Sequence, residues 1–486
     1  MLVKLMPKNT NSILIKNGIL IKMDPKRQVI EDGAVIIEGD RILDVGRTDD
    51  IVKKYEHDIV IDATKMAILP GLMDGHAHAG HSLLRTLGMH NDTWYKACEE
   101  IYSIGSTKEY WEADAALLYL ERLKFGTTCG ISFLGGGDSI MRVDDSKYAK
   151  AHCDPVEKIG VRAFMAVGPR RPPYPSLYSE WSDDVRRDFM VGYEEQIAVC
   201  EQIIEENHDR ANGRVKVALM HPVPHPEFKP ILGQELADLK DRTQMIRELR
   251  KKHELMLTMD GHTRGTVKFC HEQLGLTGSQ SIFSHSTELT AEEILICKET
   301  GTHIAHNPSA VASILGRCPV PELIDAGVNV IMGSDAGAPD RSFDMFRHMF
   351  QCMRYHRRYY RDADVLPPGK VLEMCTIDGA KAFRLEKDIG SIEPGKKADI
   401  ILVDLNKPHF YPLNMYVDKV TYFANGNDVD TVIVDGEILM QGREVKTVYE
   451  QDVLDYAQEQ LEAALSRINI KGLFDTTPNY WGKSRY

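Results

Sequence analysis

The sequence predicts an α/β fold: a (β/α)8, TIM-like barrel carrying a small β-sandwich built from both ends of the chain. Three observations predict it. Short apolar runs alternate with helical stretches through the middle of the chain, β-rich segments recur at both ends, and 486 residues exceed what one small core needs. A barrel of this kind takes about 250 residues, more with insertions, so length remains for a second unit.

The elements follow in order. Ser12 to Ile21 is an apolar run, Asp24-Pro25 turns, and Ala34-Val-Ile-Ile-Glu-Gly-Asp joins strand formers to a tight turn. Arg41 to Val45 and Ile59 to Ile61 add two short strands. The middle then supplies Gly126 to Ser132, Arg162 to Val167, Val215 to Met220, Leu255 to Asp260, Ser281 to His285, Thr302 to His306 and Val328 to Asp335, all short and apolar. Helical stretches separate them: Glu112 to Lys124, Tyr193 to Asn207, Glu235 to His253 and Ala291 to Thr300. Strands alternating with helices make a parallel sheet, and about eight such units close a barrel. Gly168 to Glu180, rich in Pro, Arg and Tyr, reads as a long βα loop, either a lid or a surface insertion. Ala398 to Asp404 and Asp430 to Gly436 return to β pattern, and Val448 to Ile468 is a closing amphipathic helix. The expected division is residues 1–65 and 395–450 in the sandwich, 66–394 in the barrel, and 451–486 as a C-terminal helix and tail.

Charge and cysteine usage narrow the function. Net charge is −13 with a pI near 5.8, which disfavours a phosphate-backbone partner. The one basic, aromatic run, Met353 to Arg361, reads as a solvated helix face or an oligomer contact. Nine cysteines, irregularly spaced and without a CxxC, read as reduced thiols. The opening MLVKLMPKNTNS has no apolar leader core, and no run of about 18 apolar residues occurs. A soluble, cytoplasmic, homo-oligomeric protein acting on a small molecule is expected, with neither nucleic acid nor membrane as partner.

The strongest local pattern is Leu69-Pro-Gly-Leu-Met-Asp-Gly-His76-Ala-His78. Histidines at i and i+2 on a strand point the same way, so both imidazoles can face one metal ion. Alone the pair is weak evidence among 18 histidines. Three further polar groups close strand-like runs: His262, His285 and Asp335. In a barrel, residues at the C-terminal ends of different strands converge on one mouth.

These motifs carry a resemblance. PGLMDGHAH, SHSTELTAEE, IAHNPSA, MGSDAGAPDRSFDMF and GSIEPGKKADIILVDL resemble the amidohydrolase superfamily, most closely its cytosine-deaminase and chlorohydrolase-like branch, from about residue 12 to 445. The resemblance implies His76, His78, His262 and Asp335 as ligands of one divalent metal, zinc first, with iron or manganese as alternatives. It implies His285 as the group beside the attacking water or the substrate carbonyl. Asp335 would take the water's proton and pass it to the leaving nitrogen, while His285 would stabilise the developing oxyanion.

Two departures bear on the reaction. Deaminases of this branch carry a Glu three residues after the fifth-strand His, where this sequence has Gly265. On that ground hydrolysis of an amide, urea or carbamate is expected over deamination or dechlorination of a nitrogen heterocycle, with Asp260, Glu288 or a substrate group as substitutes for the acid. The second concerns a bridging lysine. Lys216 lies at the start of its strand, the wrong end for the mouth, so one metal is expected. His225, Arg264 and His306 follow strands and are candidate substrate contacts, as are His81, His90 and Trp94 after the first strand. A metal-free scaffold would have lost ligands, and none is missing from the pattern.

Overall fold

A computed structural model describes residues 12–90, 93–137, 140–182, 185–482 and 484. Residues 1–11, on which the expected absence of a leader rests, lie outside the described residues.

The chain opens with β1 (Ser12–Ile21), β2 (Val29–Glu38), β3 (Arg41–Arg47), β4 (Ile59–Asp62) and β5 (Met66–Pro70). It closes with β16 (Ile400–Asp404), β17 (Val429–Val434), β18 (Glu437–Gln441) and β19 (Glu444–Val445). Together they form one sheet in the order β19-β18-β17-β16-β5-β1-β2-β3, with β4 also on β1. Strand β1 bends at Gly18, so its first half pairs with β4 and its second half with β5. Only glycine fits at that bend, because a Cβ would lie 2.6 Å from Ile68 Cδ1. Ile15, Leu20, Val35, Ile68, Ile400 and Leu402 meet in one buried apolar cluster, so the two chain ends share a core, as expected.

Eight parallel strands form the second sheet: β6 (Leu72–Asp74), β7 (Thr127–Phe133), β8 (Arg162–Val167), β11 (Val215–Met220), β12 (Leu257–Met259), β13 (Ser281–Ser284), β14 (His303–His306) and β15 (Val330–Met332), in sequence order round the barrel. The Gly75 N–H donates to Met332 O at 2.8 Å and the Asp335 N–H to His76 O at 2.8 Å, drawing the last strand against the first. Strand β5 passes into β6 across Gly71, whose Cβ would lie 2.0 Å from Thr128 Oγ1. The terminal sheet thus leads directly into the strand that carries the His-x-His pair.

The segment after β8 differs from its expectation. The proline-rich stretch ends at Ser176, where a two-stranded hairpin begins: β9 (Ser176–Ser182) and β10 (Val185–Val191). Tyr178 is buried against the Phe189 ring, a cross-strand aromatic pair that stabilises the hairpin. Three prolines immediately upstream obscured that alternation in the sequence. The helix Glu450–Ser466 packs on Lys108–Lys124, as its amphipathic pattern predicts. Among the described residues no helix is long and apolar enough to cross a membrane.

Candidate metal centre and active site

Five side chains converge at the C-terminal ends of the barrel strands. His76 and His78 follow β6, Asp260 follows β12, His285 follows β13 and Asp335 follows β15. Asp335 Oδ1 lies 3.0 Å from His78 Nε2 and 3.4 Å from His76 Nε2. Asp260 Oδ1 lies 3.2 Å from His76 Nε2 and 3.0 Å from His285 Nε2, and its Oδ2 is 3.7 Å from His78 Nε2. Zinc bonds of about 2.0–2.2 Å place neighbouring ligand atoms roughly 3.0–3.6 Å apart, so these spacings suit donors sharing one ion.

The hydrogen-bonding pattern supports a cation. His78 Nδ1 donates to Gly135 O at 3.2 Å, which leaves Nε2 of a neutral ring presenting its lone pair to the Asp335 carboxylate. Two lone pairs 3.0 Å apart repel unless a positive charge lies between them. His76 is fully buried, and neither of its ring nitrogens has a hydrogen-bond partner despite the nearby carboxylates. Burial would lower its pKa, but Asp260 and Asp335 outweigh burial and raise it to about 9. Burial likewise opposes ionisation of Asp260 and Asp335. The facing imidazoles, together with Arg341 beside Asp335, hold both carboxyls well below the ordinary range.

A buried network fixes the first and last strands beneath this cluster. Arg122 donates to Asp74 Oδ2 at 2.8 Å, to Ser132 Oγ at 3.0 Å and to Ile131 O at 2.8 Å. Asp74 in turn accepts from Ser334 N at 2.8 Å and Ser334 Oγ at 2.7 Å. Asp74 is two residues before His76 and Ser334 one before Asp335, so the network sets the relative height of two candidate ligands. His285 and Asp335 occupy left-handed backbone conformations, at φ 61° and 51°. Such backbone strain concentrates where a site over-determines its geometry.

His262, expected as a ligand, lies outside the groups of donor atoms that meet at the mouth, although its Nε2 is buried without a hydrogen-bond partner. Gly261, at φ 93°, turns the chain, and the His262 ring stacks on Phe283 at 4.0 Å with Nδ1 2.9 Å from Thr266 Oγ1. Asp260, two residues earlier, is the one whose carboxylate lies beside His76, His78 and His285. Gly265, also left-handed, begins the short helix Thr266–Phe269, its N–H bonded to Glu293. His225 lines the mouth, its Nδ1 2.8 Å from Glu227. Arg264 points to the surface near Glu288, and His306 is buried against His356. His81 and Trp94 line the pocket, while His90 packs on Tyr480.

Lys216 forms an ion pair with Asp209, away from the mouth. Lys216→Ala is expected to leave metal content and turnover within about twofold, since an exposed ion pair of this kind contributes about 0–1 kcal/mol. Metal analysis beside a rate assay checks this, and an emptied site would revive a lysine-bridged, two-metal centre.

The mouth pocket has a volume of about 290 Å³, with His81, Trp94, Tyr95, Arg171 and Arg341 among its walls. Beside it, sharing Tyr95 and Arg171, lies a groove of about 460 Å³ floored by Pro172, Pro173, Leu177 and Met190. Among the described residues lining the pocket, the only carboxyl groups are Asp260 and Asp335.

Comparison with known proteins agrees with this architecture. Residues 67–439 match the model of the amidohydrolase family. A 5-methylthioadenosine/S-adenosylhomocysteine deaminase of Thermoanaerobacter pseudethanolicus is 29% identical over 465 residues, covering 94% of this chain and all of the relative. A 5'-deoxyadenosine deaminase of Methanosarcina mazei is 30% identical over 471 residues, 94% of this chain and 99% of the relative. The crystal structure of an adenosine deaminase from Xanthomonas campestris with bound zinc superposes with a TM-score of 0.78 at 22% identity, over 93% of this chain and 98% of that one. The family match spans all eight barrel strands and the cluster at their ends: the chain belongs to the amidohydrolase family, as a metal-dependent hydrolase of carbon–nitrogen bonds.

Proposed function

We propose that the protein deaminates an amino-substituted nitrogen heterocycle, with 5'-modified adenosines as the first class to test. The observation that carries this is the five-donor cluster at the barrel mouth, in a chain about 30% identical to adenosine-type deaminases along nearly its whole length. The sequence-based argument for amide or urea hydrolysis loses its footing. It counted three residues on from His262, whereas the side chain beside the other donors is that of Asp260, and Gly265 serves a helix start.

His76, His78, Asp260 and Asp335 would hold the ion, zinc in the first instance. When bound, it supplies Lewis acidity and makes water a nucleophile near neutral pH. Asp335, kept ionised by its neighbours, accepts the proton of the attacking water and returns it to the departing amine. Arg341 positions Asp335 through its backbone oxygen at 2.5 Å and its Oδ2 at 3.4 Å. His285, with Nε2 directed at Asp260, is placed to donate to oxygen as charge develops. Protonation of the ring nitrogen falls to Asp260 or Asp335, because no other carboxyl lines the pocket among the described residues. The base would occupy the pocket and a 5' substituent the adjoining groove. On the same reading, residues 1–65 and 395–450 form a supporting unit, 66–394 the catalytic one, and 451–486 a closing helix and tail.

The scarcity of pocket acids favours one second reading, cleavage of an acyl carbon–nitrogen bond, which needs no ring protonation. Metal-replete protein incubated with adenosine, 5'-deoxyadenosine and methylthioadenosine, and separately with aryl ureas and amides, separates the two. Ammonia release from the nucleosides, with the absorbance change of adenine becoming hypoxanthine, is expected. Turnover confined to the ureas or amides would reverse the assignment.

A further inference from the structure

A second group of metal-binding side chains lies between the end of β14 and the helix Met345–Tyr360. His306 ends the strand, and Cys352 and His356 lie one turn apart on the helix, so they share a face. All three are essentially inaccessible to solvent: His306 is 1% exposed, Cys352 and His356 0%. One ligand atom from each lies within 4.8 Å of the other two. The two imidazoles meet Nε2 to Nε2 at 3.4 Å, and Nδ1 of each has no partner.

From this geometry we propose that His306, Cys352 and His356 form a second, structural metal site for a zinc-class cation, separate from the mouth cluster. A separation of 3.4 Å is long for an N–H···N hydrogen bond, whose usual range is about 2.7–3.2 Å. It matches the roughly 3.3 Å between two nitrogens on one tetrahedral zinc. Cys352 would bind as the thiolate, releasing one proton to solvent as the cation enters.

The donor chemistry separates this site from the one at the mouth. Two imidazoles and a thiolate select zinc or cobalt over magnesium, calcium or manganese, whereas two carboxylates at the mouth accept harder ions. A bound ion would pin the helix to the seventh barrel strand, just beyond the loop that follows β14. It has no role in turnover on this reading, so its test does not depend on the deaminase assignment.

The test is metal counting on the intact chain after dialysis against a weak chelator, with the cobalt-substituted protein examined in the near ultraviolet. The wild type is expected to hold about two equivalents and to show thiolate-to-cobalt charge transfer. Cys352→Ser and His356→Gln should each lose about one equivalent and the thiolate band. His76→Ala should lose an equivalent but keep the band. One equivalent in the wild type, with no thiolate absorption, would leave only a packed pair of histidines and overturn the proposal. Because the wild-type spectrum alone carries that outcome, a poorly folding variant does not protect the proposal.

Discussion

Asp260→Ala is expected to empty the mouth site and lower kcat/KM by about a thousandfold or more, whereas His262→Ala keeps the metal and loses about tenfold at most. A thousandfold loss corresponds to about 4 kcal/mol of transition-state stabilisation. Removal of outer-sphere partners alone costs about 10–100-fold in affinity or activity, so losing a ligand should exceed that. Asp260 is within 3.0–3.7 Å of three histidine nitrogens, whereas His262 stacks on Phe283 with Nδ1 engaged by Thr266. Metal content and kcat/KM measured side by side decide the matter. If His262→Ala released the metal while Asp260→Ala retained it, the ligand set implied by the sequence resemblance would stand after all. Asp260→His is the informative companion, since it restores an imidazole and should recover metal binding.

The second large effect concerns stability. Arg122→Ala is expected to destabilise the fold by about 3–5 kcal/mol, the usual cost of leaving a buried charge without its partner. Arg122 is 1% exposed and Asp74 fully buried, and the guanidinium also satisfies Ser132 Oγ and Ile131 O. Denaturant unfolding with and without added zinc measures the effect. Asp74 also holds Ser334, so the variant should bind metal more weakly even where it remains folded. A variant of unchanged midpoint would mean that water replaces the guanidinium without penalty.

Much of this was legible in the sequence because strand chemistry is periodic. His-x-His fixes two imidazoles on one face, and the barrel strands appear as short apolar runs of the right number. His285 and Asp335 could be named because each closes such a run, and both join the cluster. Which side chain after the fifth strand meets the other donors was not legible. Asp260 and His262 have the same parity, so an extended chain would present both to the mouth. The choice is made by Gly261, whose positive φ reverses the chain between them, and periodicity carries no record of a single dihedral. The hairpin β9–β10 was hidden for a related reason. Its alternation is short and follows three prolines, a composition that signals irregular chain. The role of Arg122 was also invisible, because a buried arginine reads as an ordinary helical charge until its partners at positions 74, 131 and 132 are known.

The order of synthesis gives the shared terminal sheet a further consequence. Strand β5, which leads into the His76 strand, has its antiparallel neighbour β16 more than 300 residues later, with Ile68 opposite Leu402. While the ribosome is still making the barrel, that edge of β5 is bare, and an open edge recruits other strands. The nascent chain therefore passes through a long interval in which its most chemically important strand borders an unpaired one. That edge closes only when β16 has been made and pairs with it, after the last barrel strand.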